Sequence, residues 1–211
     1  MTAPAFDARP SAFLLADNMR RMLGLKGPAM LQRLLAVETL REEIDAILLD
    51  RLGPQPPLDP DAQEIQRFLC TQQPDQIRKL SCVIAVLSQS AAARVVLHGP
   101  TLAAYSAMCP GGQILAFMRK SDLPACSALP PLRVASTEAL ELCSHLAERL
   151  LFGLLPEGLL VRIAGKRTPE TFPMPLALPD AQARGTFLAL ARAGLVYLHQ
   201  QGGGDATVAA S

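Results

Sequence analysis

The sequence predicts an all-α protein, an irregular orthogonal array of roughly eight to ten mostly short helices. Two observations carry that expectation. Apolar residues recur at three- and four-residue steps through most segments, as one buried helical face requires. Prolines, 18 in a chain of 211 residues, repeatedly stand just before such a run, where their fixed φ and missing N–H suit the first helical turn. No internal repeat interrupts the pattern.

Residues 11–23 form a short amphipathic segment with Phe13, Leu14, Met22 and Leu23 apolar, closed by Gly24 and Gly27. Over 28–52, Leu31, Leu34, Leu35, Leu40, Ile44, Ile47 and Leu48 make a stripe opposite Glu38, Arg41, Glu42, Asp45 and Arg51, which predicts one long helix opened by Pro28. Gly53 and the proline-rich residues 54–60 stop it, because closely spaced prolines favour extended backbone. Residues 1–53 therefore read as a helical hairpin, 54–60 as a linker and 61–200 as the main body.

Asp59 as N-cap and Pro60 in the first turn open a helix through Ile65, Phe68 and Leu69, and Pro74-Asp75 opens another through Ile77, Leu80, Ile84 and Leu87. Shorter pieces follow at 91–97, 101–108 and 113–120, then a loop over 121–135. Ser136 caps a helix whose buried stripe is Leu140, Cys143, Ala147, Leu150, Leu151 and Leu154, and Pro156 ends it. Residues 157–164 are ambiguous: Leu159, Val161 and Ile163 alternate as in a strand, while Leu159, Leu160 and Ile163 fit a helical turn, and helix is the preferred reading. A loop over 165–178 leads to Pro179-Asp180 and a last helix through Phe187, Leu188, Ala191, Leu195 and Leu198. Residues 201–211, opening on Gln201 and three glycines, read as a flexible tail.

With 50% hydrophobic and 18% charged residues the chain is of the folding class, and its apolar content exceeds what one modest core uses, so part of it is expected to cover a partner. Twenty Lys and Arg against 19 Asp and Glu leave none of the basic excess that binding nucleic acid demands. The N-terminal residues lack the pattern of a secretory signal, and the most apolar stretches are broken by charges and Pro156, so the chain is expected to be cytoplasmic, with no membrane span. Five cysteines without a C-x-x-C pair read as reduced, mostly buried thiols.

No catalytic constellation stands out. There is no G-x-S-x-G turn, and His98, His145 and His199 are scattered. Cys143-Ser144-His145 is a poor helical chelate, so Cys143 is assigned to the core and no metal site is predicted. Gly158 to Gly165-Lys166 fails the phosphate-loop spacing. No catalytic residue and no cofactor is assigned. The candidate partner-binding residues are two basic groups, Arg162, Lys166 and Arg167 after the ambiguous segment, and Arg20 and Arg21 near the first helix end. For both, capping of free helical carbonyls is the competing structural role.

The entry Pro10-Ser11-Ala12-Phe13-Leu14, together with Leu80, Cys82, Val86, Leu87, Ala93, Arg94, Val96, Pro100 and Leu102, resembles the K component, SctK, of bacterial type III secretion systems. The order of the C-terminal part, an apolar helix, a short Leu/Arg segment, a proline-rich loop and a final helix, is similar too. The chain departs from that family in carrying no tryptophan. The resemblance implies a non-enzymatic cytosolic adaptor of the sorting platform, peripheral to the inner membrane through the secretion basal body. Its implied partners are the cytoplasmic domain of the inner-membrane ring protein and the pod protein of the platform. The alternative from another class is a small helical enzyme or ligand-binding regulator with an apolar pocket, using His98 or His145 as a polar group.

Overall fold

The computed structural model describes residues 9–12, 14–54, 56–93, 98–109, 113–132, 135–165 and 172–204. The protein is all-α. Among the described residues there are eleven α-helices, one 3-10 turn at Pro10–Ala12, and no strand. The chain divides into two compact units, Met1–Gln72 with Leu155–Met174, and Gln73–Leu154 with Pro175–Ser211. The sequence placed a boundary at 54–60, whereas the chain on both sides of that stretch belongs to the first unit.

The first unit holds α1 (Ala16–Leu23), α2 (Pro28–Ala36), α3 (Glu38–Leu52), α4 (Gln63–Thr71) and α10 (Glu157–Ala164). α1 starts later than the expected segment, since residues 10–12 are spent on the 3-10 turn. It ends on Gly24 at φ 69°, whose N–H bonds to Arg21 O while that of Leu25 bonds to Arg20 O. This left-handed closure is the reason for glycine there. The core of the unit is Leu14, Met19, Leu31, Ile44, Leu48 and Leu52. Asp45, buried on α3, accepts a 2.7 Å hydrogen bond from Ser11 N and so ties the N-terminal turn to that helix.

The single long helix expected over 28–52 is corrected to two, α2 and α3, which meet at an extended Val37 (φ −98°, ψ 117°). An unbroken helix of this length would be about 37 Å long and would carry Leu31 far from Leu48, whereas the break lets both enter one cluster. Arg41 holds the broken end by donating from Nε to Leu35 O at 3.0 Å. A second correction concerns Asp59. Helix α4 begins only at Gln63 with Ala62 as N-cap, while the Asp59 carboxylate accepts from Asp61 N at 2.9 Å in a turn ahead of the helix. The 157–164 segment is helical, as preferred.

The second unit holds α5 (Pro74–Leu87), α6 (Ser90–Ala93), α7 (Gly99–Met108), α8 (Ile114–Lys120), α9 (Thr137–Gly153) and α11 (Ala181–Gly204). Pro74 and Pro100 stand in the first turns of α5 and α7. Helix α5 is buried along Ile77, Leu80, Val83, Ile84 and Leu87, and its most extensive neighbour is α9, followed by α11. Gly194 on α11 makes the second packing close, since a Cβ there would come within 2.9 Å of Leu80 Cδ1. The loop after α8 is anchored by buried Gln89, whose amide donates to Pro130 O at 3.2 Å and whose Oε1 accepts from Leu132 N at 2.9 Å.

The Ser136 cap is where the sequence puts it, and Asp180, expected only to open the last helix, caps it as well. Ser136 Oγ accepts from Ala139 N at 3.2 Å, and Asp180 Oδ1 accepts from Ala183 N at 2.7 Å. Ser136→Ala is expected to lower stability by about 1 kcal/mol, measured as a shift in the denaturant midpoint with an unchanged slope. An unchanged midpoint would remove the cap from the account. The tail expected from residue 201 is corrected in part, since α11 continues through Gly204. Glycine weakens a helix without removing a backbone donor as proline does. Residues 205–211 of that expected tail lie outside the described residues, as do Phe13, Arg94 and Val96.

Candidate functional site

Of the five expected partner-binding residues, the structure describes three. Lys166 and Arg167 lie outside the described residues. Arg162, expected on a basic surface, is corrected to an interior position with 5% exposure. Its guanidinium donates to Gly53 O at 2.6 Å, Gly158 O at 2.9 Å and Leu52 O at 3.4 Å. It thus joins α10 to the carboxyl end of α3, where helical carbonyls lack intrahelical donors and the helix dipole favours a cation.

Arg20 and Arg21 remain at the surface. Arg20 is half-buried and lies 3.5 Å from the Asp17 carboxylate; Arg21 is exposed and donates to Asn18 Oδ1 at 2.5 Å. Asn18 in turn donates to Gly165 O at 3.0 Å, and Leu15 N bonds to the same oxygen at 2.9 Å. The start of α1 is therefore fastened to the carboxyl end of α10. Within the first unit this brings Arg20 and Arg21 onto a helix anchored at Gly165, the residue that immediately precedes Lys166 and Arg167 in the chain.

His98 is exposed, with Nδ1 3.0 Å from Thr101 Oγ1, and His145 is exposed while its neighbour Cys143 is in the core. Among the described residues no three His, Cys, Asp or Glu side chains converge as metal ligands, and no helix is long and apolar enough to cross a membrane. Burial raises the thiols of Cys82 and Cys143 above their ordinary value and pushes Cys109 up to about 12. These thiols are therefore protonated at neutral pH and are poor nucleophiles.

Among the described residues, each unit has a cleft at its surface. In the first unit, Arg9, Glu38, Arg41, Glu42 and Asp45 border a space of about 270 Å³. Its charges are of both signs, and Arg41 and Asp45 already serve the backbone. In the second unit, Gln113, Phe117, Lys120, Ser121, Tyr197 and Gln200 border a space of about 310 Å³. The Phe117 and Tyr197 rings meet edge to face, with centroids 5.4 Å apart, a favoured aromatic geometry. Tyr197 is 2% exposed, and among the described residues its hydroxyl has no hydrogen-bond partner. Leaving a buried hydroxyl unpaired costs about 1–3 kcal/mol. Burial, and then the nearby Cys109, raise the phenol above its ordinary value, so it stays protonated. Sequence reading missed Tyr197; the signal was a phenol within the apolar stripe of the last helix.

No family model matches the chain, and neither curated proteins nor solved structures give a match.

Proposed function

We propose that this protein is a non-enzymatic adaptor of a type III secretion sorting platform, cytoplasmic and peripheral to the inner membrane. It links the cytoplasmic domain of the inner-membrane ring protein to the pod protein. The observation that carries the reading is the division into two helical units, because an adaptor needs separate surfaces for separate partners. Each unit also leaves large apolar side chains in water: Met30, Val37 and Ile47 on the first, Leu142 and Val196 on the second. Such side chains serve as contact area when a partner covers them.

The motif that suggested the family supports the same reading. Leu80, Val86, Leu87 and Ala93 are buried within the second unit, Cys82 and Leu102 are half-buried, and Pro100 opens α7. A shared scaffold needs its similar residues in the core, with partner contacts supplied by the surface around it.

With Arg162 assigned to the interior, the basic contact reduces to Arg20, Arg21, Lys166 and Arg167. Reversing these four charges to Glu is expected to weaken capture of one partner by about tenfold through lost electrostatic complementarity, leaving helicity and melting temperature within error. Capture assays on purified proteins and circular dichroism of the same samples check it. Unchanged capture of both partners would remove this cluster from the account.

A further inference from the structure

Helix α2 is apolar on both sides, with Gln32 and Arg33 its polar members. Leu31 enters the core of the first unit, and half-buried Leu34 and Leu35 pack against that core. The outer side presents Ala29, Met30, Arg33 and Ala36 to solvent. Val37 joins them at the helix end, with Met30 54% and Val37 47% exposed. A helix apolar all round is ordinarily covered on every side, so the outer side of α2 asks for a second cover. The charge around it has one sign. From Asn18 to Val37 the chain carries Arg20, Arg21, Lys26 and Arg33 and no acidic residue, in a protein whose formal net charge is only +1. Lys26, just ahead of α2, and Arg33, in its last turn, are both exposed. The acids on either side are engaged elsewhere: Asp17 pairs with Arg20, while Glu38 and Glu42 border the cleft with Arg9 and Arg41. The cover is therefore apolar and anionic, which describes a bilayer surface with anionic headgroups. Two alanines, a flexible methionine and a valine supply none of the aromatic anchors on which protein interfaces depend, whereas acyl chains need no matching shape. Long cationic side chains beside them can lay their stems on the apolar side and reach phosphates with their heads.

We propose that α2 lies on an anionic membrane surface, with Met30 and Val37 among the upper acyl chains and Lys26 and Arg33 on the phosphates. The inference leaves Arg20, Arg21, Ile47 and the exposed side chains of the second unit to protein partners. It is independent of the adaptor reading and stands if that reading fails.

The test sediments the full chain with vesicles of two compositions, phosphatidylcholine alone and phosphatidylcholine with an equal part of phosphatidylglycerol. Co-sedimentation with the mixed vesicles is expected, saturable in lipid and weakened by salt, with none on phosphatidylcholine. Lys26→Gln combined with Arg33→Gln should lower the partition coefficient about 30-fold, a factor of about five for each cation. Met30→Gln should lower it about threefold with the charges intact, through lost apolar burial. Arg78→Gln combined with Lys79→Gln, an equally charged pair on the second unit, should leave it unchanged. All five side chains are exposed, so each variant should keep the helicity and melting temperature of the parent. The proposal is overturned if the chain stays in the supernatant of the mixed vesicles, if phosphatidylcholine alone sediments as much of it, or if the Arg78 and Lys79 pair matters as much as the Lys26 and Arg33 pair. Absence from the mixed vesicles together with binding of the blocked acidic peptide acetyl-Leu-Glu-Leu-Leu-Glu-Leu-amide, lost in the Lys26 and Arg33 variant, would give this face to a protein instead.

Discussion

Arg162→Ala is expected to destabilise the protein by about 3 kcal/mol, the largest single effect of any charged residue in the first unit. The side chain is buried and its guanidinium serves three carbonyls, those of Leu52, Gly53 and Gly158. Truncation removes these donors together and empties the space between the end of α3 and α10. A hydrogen bond to a charged group contributes about 1.5–3 kcal/mol, and the carbonyls left behind add their own desolvation cost. The three bonds share one cation, so the loss is set well below their sum. Arg162→Lys should recover only part of it, because a single ammonium cannot reproduce the planar fork. Denaturant midpoints of the two variants check the ordering. Midpoints equal to that of the parent protein would contradict the interior placement and return Arg162 to the surface.

Gly153→Ala tests the second unit in the same way, with an expected loss of about 2–3 kcal/mol. Gly153 is the last residue of α9, and an added Cβ would lie 2.0 Å from Leu176 O and 2.8 Å from Leu176 C. The opposing term is helix propensity, which favours alanine over glycine by about 1 kcal/mol. Overlap wins because the obstacle is backbone and has little freedom to yield: Leu176 N is bonded to Arg149 O at 3.0 Å, which holds the loop against the helix. A variant as stable as the parent protein would mean that the loop does not approach α9 this closely.

These two positions also mark where sequence reading stops. Pro28, Pro74, Ser136 and Asp180 were legible because each acts within one turn of its own residue, through a fixed φ or a side chain reaching a nearby N–H. Arg162 was not, since the carbonyls of Leu52 and Gly53 come from more than a hundred residues away in the chain. In the sequence it is simply a cation next to Lys166 and Arg167. Its alternative role, capping helical carbonyls, was legible in kind, although the helix it serves is α3. The break at Val37 was hidden for a related reason: Leu31 and Leu48 fit one helical stripe, and only the shared cluster requires the chain to turn between them. The candidate site divides similarly. Arg21 is exposed and Arg20 half-buried beside Asp17, both set by their own helix, while the Tyr197 hydroxyl, unpaired among the described residues, depends on what the rest of the second unit fails to offer it.

The adaptor reading makes its most exposed claim about company. The measurement that tests it most directly is affinity capture of the tagged chain from its native cells after gentle lysis, with mass spectrometry against an untagged control. The account predicts recovery of both the inner-membrane ring protein and the pod protein of a type III secretion system. Recovery of neither, from cells shown to express the secretion apparatus, would contradict it.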